Sequence, residues 1–386
     1  MHLINDFSFE LPTKIEYGVG AYKKLTEALA DLKARRIVVV SDKGIVKSGL
    51  LDGIQNQLSQ KGRDYRIFDG VEANPKDYNV QEGARMAVDH KADCLVAVGG
   101  GSPIDCAKAI AVAATHKGSI RDFEGSGKIT HQPIPLIAIP TTAGSGSEVT
   151  FSAVITDSRD KFKFSIRDTK NAPRAALADP EMTRTMPAEL TAATGMDALT
   201  HAIEAFSCRV SNPLTDAAAL YAVELIARHL KTAVFDGQNL EARSGMLLGS
   251  ILAAIAFSHS DVAAVHCIAE ALGGKFDTPH GVCNAVALPA VMEYNMSYCM
   301  EKYARIATAM GLAYEDTAAG AKQAVEAVKK LVVELNLPDF NSFGVREKDF
   351  AELAQNSVNN GSNIDNPRPM AAEDYLNVLK TLSSNR

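Results

Sequence analysis

The sequence predicts two domains of different class: an α/β domain with a parallel sheet over residues 1–186 and an all-helical domain over 187–386. Three observations predict it. The chain has 386 residues, too many for one ordinary hydrophobic core. Its first half alternates β-rich runs with helix-like segments. Its second half loses the β-branched runs and becomes rich in Ala and Leu at helical spacing.

The strands of the first half are expected at RIVVVS (36–41), YRIFD (65–69), CLVAVGG (94–100) and PLIAIPT (135–141). They are nearly continuous apolar runs, as a parallel sheet covered on both faces requires. Helices are expected between them, at AYKKLTEALADLK and NVQEGARMAVDHK, and such alternation argues for a parallel sheet. From Met186–Pro187 onward, MPAELTAATGMDALTHAIEAFSC, LTDAAALYAVELIARHLKTAV and LEARSGMLLGSILAAIAF read as helices. Small-molecule sites tend to lie between domains, so a cleft there is expected to hold the site.

Composition narrows the function class. Hydrophobic residues make up 46% and charged residues 22%, ordinary for a soluble globular protein. A net charge of −6 gives no electrostatic case for nucleic acid or an anionic membrane. The opening MHLINDFSFELPTK has neither a basic n-region nor an apolar h-region, so no signal peptide is expected. No uninterrupted apolar run of spanning length is expected either. The best candidate, SILAAIAFSHSDVAAVHCIAEALGG, is broken by Ser258, His259, Asp261, His266 and Glu270. Six scattered cysteines without a CxxC read as reduced thiols of a cytoplasmic protein.

CLVAVGGGSPIDCAKAIAVAA runs strand, glycines, helix. Gly99, Gly100 and Gly101 let a ligand approach the backbone. Ser102 is expected as N-cap, Pro103 at the first helical position and Asp105 in the first turn. Free amides and the positive end of the helix dipole would then meet an anion, most plausibly a pyrophosphate. After the next strand, PLIAIPTTAGSGSEVT gathers Thr141, Thr142, Ser145, Ser147 and Thr150. Hydroxyls of this kind suit a sugar–phosphate ligand, although a plain Ser/Thr/Gly loop reads the same way. Asp42, just after the first strong strand, is placed to accept ribose hydroxyls and to repel a 2′-phosphate, favouring NAD over NADP. Lys43 beside it works against that preference, and an ordinary loop aspartate reads equally well.

In TGMDALTHAIEAF, Asp197 and His201 stand four apart on one helical face. His266 and His280 add two imidazoles in alanine-rich surroundings. One carboxylate and three imidazoles make a mixed oxygen and nitrogen donor set suited to Fe²⁺ or Zn²⁺. Spacing alone leaves a chance pairing open. Five other histidines, at 2, 90, 116, 131 and 229 in polar or terminal contexts, receive no role.

The segments GGGSPID, IPTTAGSGSEVT, ATGMDALTHAIEA, NPLTD and LGGKFDTPHGVCNAVALP resemble those of the iron-containing (group III) alcohol dehydrogenases, in order and spacing, over nearly the whole chain. The resemblance implies the dehydroquinate synthase-like fold: a dinucleotide-binding α/β domain and a helical metal-binding domain, with the active site between them. It implies NAD(P), Fe²⁺ with Zn²⁺ as the alternative, a small primary alcohol or aldehyde as substrate, and a homodimer or higher homo-oligomer. The reaction implied is reversible hydride transfer between an alcohol carbon and nicotinamide. Its metal ligands fall on Asp197, His201, His266 and His280. Its cofactor contacts fall on Asp42, Asn74, Gly99, Gly100, Gly101, Ser102, Asp105, Thr141, Thr142, Ser145 and Lys163, with Thr150 in the same loop. A pocket phenylalanine falls on Phe257.

The chain departs from the family at three places. Glu270 stands where a histidine is common, Asp261 where a small residue is usual, and Ser362 where a cysteine is common. Glu270 is open to four roles: proton acceptor, added metal ligand, contact to a polar substrate, or a solvated side chain at the pocket mouth. Two added carboxylates are expected to favour polyol-like or cationic substrates over anions. Two other functions compete. A lyase or synthase of the same superfamily would need Lys and Arg clustered near the metal, which the helical half lacks. A non-catalytic NAD-binding redox sensor would not need the Asp–His–His–His set.

Overall fold

The computed structural model describes residues 6–384; the first residues of the opening segment, His2 among them, lie outside this range. Contacts divide the chain into two compact units. One is Glu10–Met186; the other is Pro187–Arg386 with the N-terminal residues up to Phe9. The first is α/β and the second is helical, the architecture expected from the sequence.

The α/β unit holds strands β1 (Lys14–Tyr17), β2 (Arg36–Val40), β3 (Asp64–Phe68), β4 (Cys94–Gly99), β5 (Gly125–Ser126), β6 (Leu136–Pro140), β7 (Ser152–Asp157), β8 (Phe162–Arg167) and β9 (Ala175–Ala178). Its helices are α1 (Leu25–Asp31), α2 (Lys43–Lys47), α3 (Asp52–Gln60), α4 (Asp77–Asp89) and α5 (Gly101–Ala113). The main sheet is parallel throughout, in the order β1-β9-β6-β4-β2-β3.

Period-2 alternation buries both faces of this sheet. Val38, Val40, Leu95 and Ala97 pack with Val80 and Ala84 of α4 and Ile104 and Ile110 of α5. Ile37, Val39, Val96, Val98, Ile137 and Ile139 pack with Leu25 and Leu29 of α1 and Ile54 and Leu58 of α3. The strand order reverses between β2 and β4. In open sheets of this kind, ligands bind outside the strand C-termini at that reversal.

The four expected strands are present. The sequence reading missed β1 and β9 at one edge, and the small second sheet β5-β8-β7. β9 reads AALA, four alanine-rich residues with little β propensity, and takes its conformation from its neighbours β1 and β6.

The helical unit contains, among the described residues, α6 (Ala188–Ser207), α7 (Pro213–Phe235), α8 (Leu240–His259), α9 (Ala264–Phe276), α10 (His280–Ala309), α11 (Thr317–Glu334), α12 (Phe350–Asn359) and α13 (Ala372–Ser384). α6 is buried almost all round, which its small residues permit. Among the described residues one helix, α8, is by length and composition apolar enough to cross a membrane, although Glu241 and Arg243 interrupt its apolar run. Most of it is buried inside the unit, including Leu247, Ile251 and Ala254, so its apolarity serves core packing.

Candidate metal centre and nucleotide loop

In the α/β unit, the predicted cofactor residues collect at the C-terminal ends of adjacent strands. Asp42 follows β2, Gly99–Ser102 follow β4, and Thr141, Thr142 and Ser145 follow β6. α5 starts two residues earlier than expected. Gly100, in extended conformation, is its N-cap, and Gly101 is its first residue, because the Gly100 carbonyl already accepts from the Ile104 amide. Ser102 and Pro103 therefore sit inside the first turn, and no side chain caps the helix.

The missing β-carbons matter here. A Cβ on Gly101 would stand 2.7 Å from Ser145 Oγ, and one on Gly100 would stand 3.0 Å from the Thr142 side chain. The two loops thus form a cradle that larger residues would fill. Thr141 Oγ1, at its floor, is buried without a hydrogen-bond partner. A cradle of uncapped amides and an unpaired hydroxyl fits the phosphates of a dinucleotide.

The other expected cofactor residues have partners of their own. Asp42 Oδ1 accepts the Ile45 amide at 2.9 Å and caps α2. Asn74, in left-handed conformation, accepts from Lys163 Nζ at 2.8 Å through Oδ1. Asp105 and Thr150 belong to a buried brace. Asp105 accepts from Ser147 Oγ and, at 3.0 Å, from the Val154 amide. Lys108 Nζ donates to Ser147 Oγ at 3.1 Å, Thr150 Oγ1 at 2.9 Å and the Ser152 carbonyl at 2.8 Å. Lys108 is 1% exposed, and burial pushes its pKa down to about 8. The brace fixes the 147–154 segment to α5 and so holds the cradle in shape.

In the helical unit, donor atoms of Asp197, His201 and His266 lie within 4.8 Å of one another, all buried. His280, the first residue of α10, brings its Nε2 to 3.7 Å from Asp197 Oδ1. It comes this close because Gly281 follows it: a Cβ there would collide with the Ala193 carbonyl of α6. The four predicted ligands therefore come together. The His201 ring stacks on Phe257, with centroids 4.4 Å apart, and on His266 at 4.6 Å. Burial drives the Asp197 pKa up, but His201, His280, His266 and an Asn284 amide outweigh it and hold the carboxyl below its ordinary range. One carboxylate and three imidazoles facing one another, all buried but the partly exposed His280, fit a divalent metal.

Two residues at this centre escaped the sequence reading. Glu204 meets His266 Nδ1 at 2.5 Å. Asn284 Nδ2 donates to Asp197 Oδ1 at 2.7 Å and lies 3.1 and 3.2 Å from Nε2 of His266 and His280. Both were signalled by spacing. Glu204 stands seven residues after Asp197 on α6, and Asn284 four after His280 on α10, so each shares its ligand's helical face.

The three departures from the family pattern prove to be neighbours. Asn360 Nδ2 donates to Glu270 Oε2 at 2.6 Å, and Asn360 Oδ1 accepts the Ser362 amide at 3.0 Å. Ser362 Oγ donates to Asp261 Oδ1 at 3.0 Å. Glu270, Asn360, Ser362 and Asp261 thus form one hydrogen-bonded strip. Asp261 lies in the break between α8 and α9 with φ 140°, a conformation L-residues rarely adopt. Glu270 follows His266 by one turn of α9, and its charge contributes to a raised His266 pKa. There burial alone would lower that pKa, and Glu204, Asp197 and Glu270 outweigh it.

Comparison with known proteins agrees with this geometry. The family pattern "Iron-containing alcohol dehydrogenase" matches residues 12–180, and "Fe-containing alcohol dehydrogenase family, C-terminal" matches 191–383. The chain is 41% identical to the 1,3-propanediol dehydrogenase of Klebsiella pneumoniae over 379 residues, 97% of this chain and 98% of that one. It is 39% identical to the choline dehydrogenase of Bacillus subtilis, over 97% of this chain and 94% of that one. A crystal structure of a 1,3-propanediol oxidoreductase superposes with a TM-score of 0.95 at 40% identity, covering 98% of this chain and all of that one.

Proposed function

Since the chain belongs to the iron-containing alcohol dehydrogenase family, and is a metal-dependent, NAD-linked alcohol dehydrogenase and aldehyde reductase of small substrates, we propose that its preferred substrates are small polar alcohols of the diol type. The observation that carries this reading is the strip Glu270–Asn360–Ser362–Asp261, beginning one helical turn from His266. A carboxylate wall accepts hydrogen bonds from a second hydroxyl, tolerates a cation and repels an anion. Relatives named for 1,3-propanediol and for choline, a diol and a cationic alcohol, support it.

Asp197, His201, His266 and His280 hold the metal, and Phe257 walls the centre through its contact with His201. The bound metal supplies a Lewis acid that lowers the pKa of an alcohol hydroxyl. Gly99–Ser102 with Thr141, Thr142 and Ser145 hold the dinucleotide phosphates, and Asp42, Asn74 and Lys163 are the remaining cofactor contacts. Glu270 and Asp261 orient the far end of the substrate, and orientation lowers the barrier of a hydride transfer. The free, buried cysteines support a reducing, cytoplasmic location. A homodimer or larger homo-oligomer is proposed from the resemblance, and light scattering on the purified protein tests it.

The test is a substrate panel on anaerobically metallated enzyme, followed by NADH absorbance. It sets 1,3-propanediol, glycerol and choline against 1-propanol and an anionic hydroxy acid. The diol is expected to give the highest kcat/KM and the anion the lowest, with the diol advantage lost in Glu270→His. Highest kcat/KM on the plain alkanol, unchanged in that variant, would contradict the reading.

A further inference from the structure

We propose that Glu204 is a positioning residue of the metal centre: its carboxylate fixes the tautomer and orientation of His266, so that Nε2 is delivered as a ligand. This rests on the metal reading of the site.

Glu204 is 3% exposed, on α6 one turn past His201. It makes three contacts with one short segment. Oε2 accepts the Ala263 amide at 3.0 Å and meets His266 Nδ1 at 2.5 Å, while Oε1 accepts the Val265 amide at 2.7 Å. α9 has no capping side chain of its own, since its N-cap is Ala263. Glu204 therefore caps α9 from another helix. Removing a carboxylate from water is costly, and three donors offset that cost here. The contact to His266 makes the arrangement more than a cap, because the oxygen that accepts the Ala263 amide also stands 2.5 Å from Nδ1 and is placed to accept a hydrogen from it.

The other side of the ring gives the same answer independently. Asn284 must turn its NH₂ inward, because Asp197 Oδ1 accepts from it. The same NH₂ group lies 3.1 Å from His266 Nε2 and 3.2 Å from His280 Nε2, and a hydrogen on His266 Nε2 would point at this donor, so the contact favours a lone pair there. Glu204 and Asn284 thus select one tautomer, the one that ligates through Nε2. A carboxylate behind a ligating histidine is a recurrent means of fixing ring orientation and raising ligand basicity. Here the same carboxylate also sets where α9 begins, just after the strained Asp261. Ring and helix start are held by one group.

The test variant is Glu204→Gln. Its amide oxygen still accepts the Val265 amide, but its NH₂ takes the place of Oε2, gives up the Ala263 bond, faces His266 Nδ1 and favours the opposite tautomer. Zn²⁺ affinity of the full chain, by competition with a chromophoric chelator, is expected to weaken by about 10–100-fold. NADH binding should change little, and the Tm of metal-free protein should fall only by the loss of the Ala263 hydrogen bond. NMR of nitrogen-labelled histidine in metal-free wild type should show His266 with its proton on Nδ1. Wild-type metal affinity in Glu204→Gln, or a fall in Tm with unchanged affinity per folded chain, would reduce Glu204 to a helix cap and overturn the proposal. If the variant does not fold, the wild-type tautomer decides: a neutral His266 ring with its proton on Nε2 overturns it. That reading needs no metal. A wild type that binds no metal, with the tautomer as stated, would instead defeat the metal reading and leave the positioning intact.

Discussion

Two largely buried polar clusters, one in each unit, are each built around an aspartate and differ in use. The cluster of the α/β unit joins Asp105, Lys108, Ser147 and Thr150. That of the helical unit joins Asp197, His201, His266 and His280, with Glu204 and Asn284 behind them. In the first, the polar atoms answer one another: an ammonium meets two hydroxyls and a carbonyl, and a carboxylate meets a hydroxyl and an amide. In the second, lone pairs from four side chains face one another across a small space, and outside groups hold them there. Buried lone pairs that converge are costly unless a cation joins them. Convergence, more than burial or charge, separates a metal site from a brace.

The comparison breaks most sharply if a ligand and a brace residue have the same effect. His266→Ala should lose bound metal and lower kcat by about a thousandfold or more, since several kcal/mol of transition-state stabilisation disappear. Its Tm without metal should fall little by comparison. Metal analysis and stopped-assay rates check both. Lys108→Met should do the reverse. It leaves Asp105 buried without its cation and is expected to cost about 3 kcal/mol or more in urea unfolding. Metal content of the folded fraction should be unchanged.

A smaller effect is expected at the helix junction of the metal centre. Gly281→Ala pushes a methyl group against the Ala193 carbonyl, so α10 must withdraw from α6. Overpacking of this kind costs about 1–3 kcal/mol. Because His280 moves with Gly281, chelator competition should also show weaker metal binding. Loss of stability with unchanged metal affinity would separate the close approach from the ligand geometry.

A gradual effect, a pH slope, is expected beside the brace. Glu148 is 2% exposed, and burial pushes its pKa up from 4.5 to about 7. Between those values the folded protein holds a proton that the unfolded chain has released. Stability contributed by the neutral carboxyl is therefore present below about pH 4.5 and is lost as pH rises through about 7. Glu148→Gln should flatten this part of the stability–pH curve, as followed by Tm across buffers. A slope unchanged in the variant would place its origin elsewhere.

Much of this was legible in the sequence because period and spacing are local. Near-continuous apolar runs marked β2, β4 and β6, a shorter alternating run marked the edge strand β3, and four-residue spacing put Asp197 and His201 on one face. What was not legible depended on partners distant in the chain. That Thr142 and Ser145, some forty residues on, crowd Gly100 and Gly101 at the start of α5 could not be read from the local pattern. The β7–β8 hairpin alternates buried Ala153 and Ile155 against Phe164 and Ile166, a period-2 signal that the neighbouring Ser/Thr/Gly loop obscured. Asp261, Glu270 and Ser362 were each visible as departures. That they form one strip required Asn360, which no motif singled out.

The central claim is that NAD-linked alcohol oxidation by this chain depends on a metal held by Asp197, His201, His266 and His280. The most direct measurement strips the enzyme with chelator under anaerobic conditions. Fe²⁺ is then titrated back while NADH formation from 1,3-propanediol is followed. The account predicts that the stripped protein still binds NADH but does not turn over, and that rate rises to saturation at a single metal per chain. Full turnover in the stripped protein, or a rate indifferent to added metal, would contradict it.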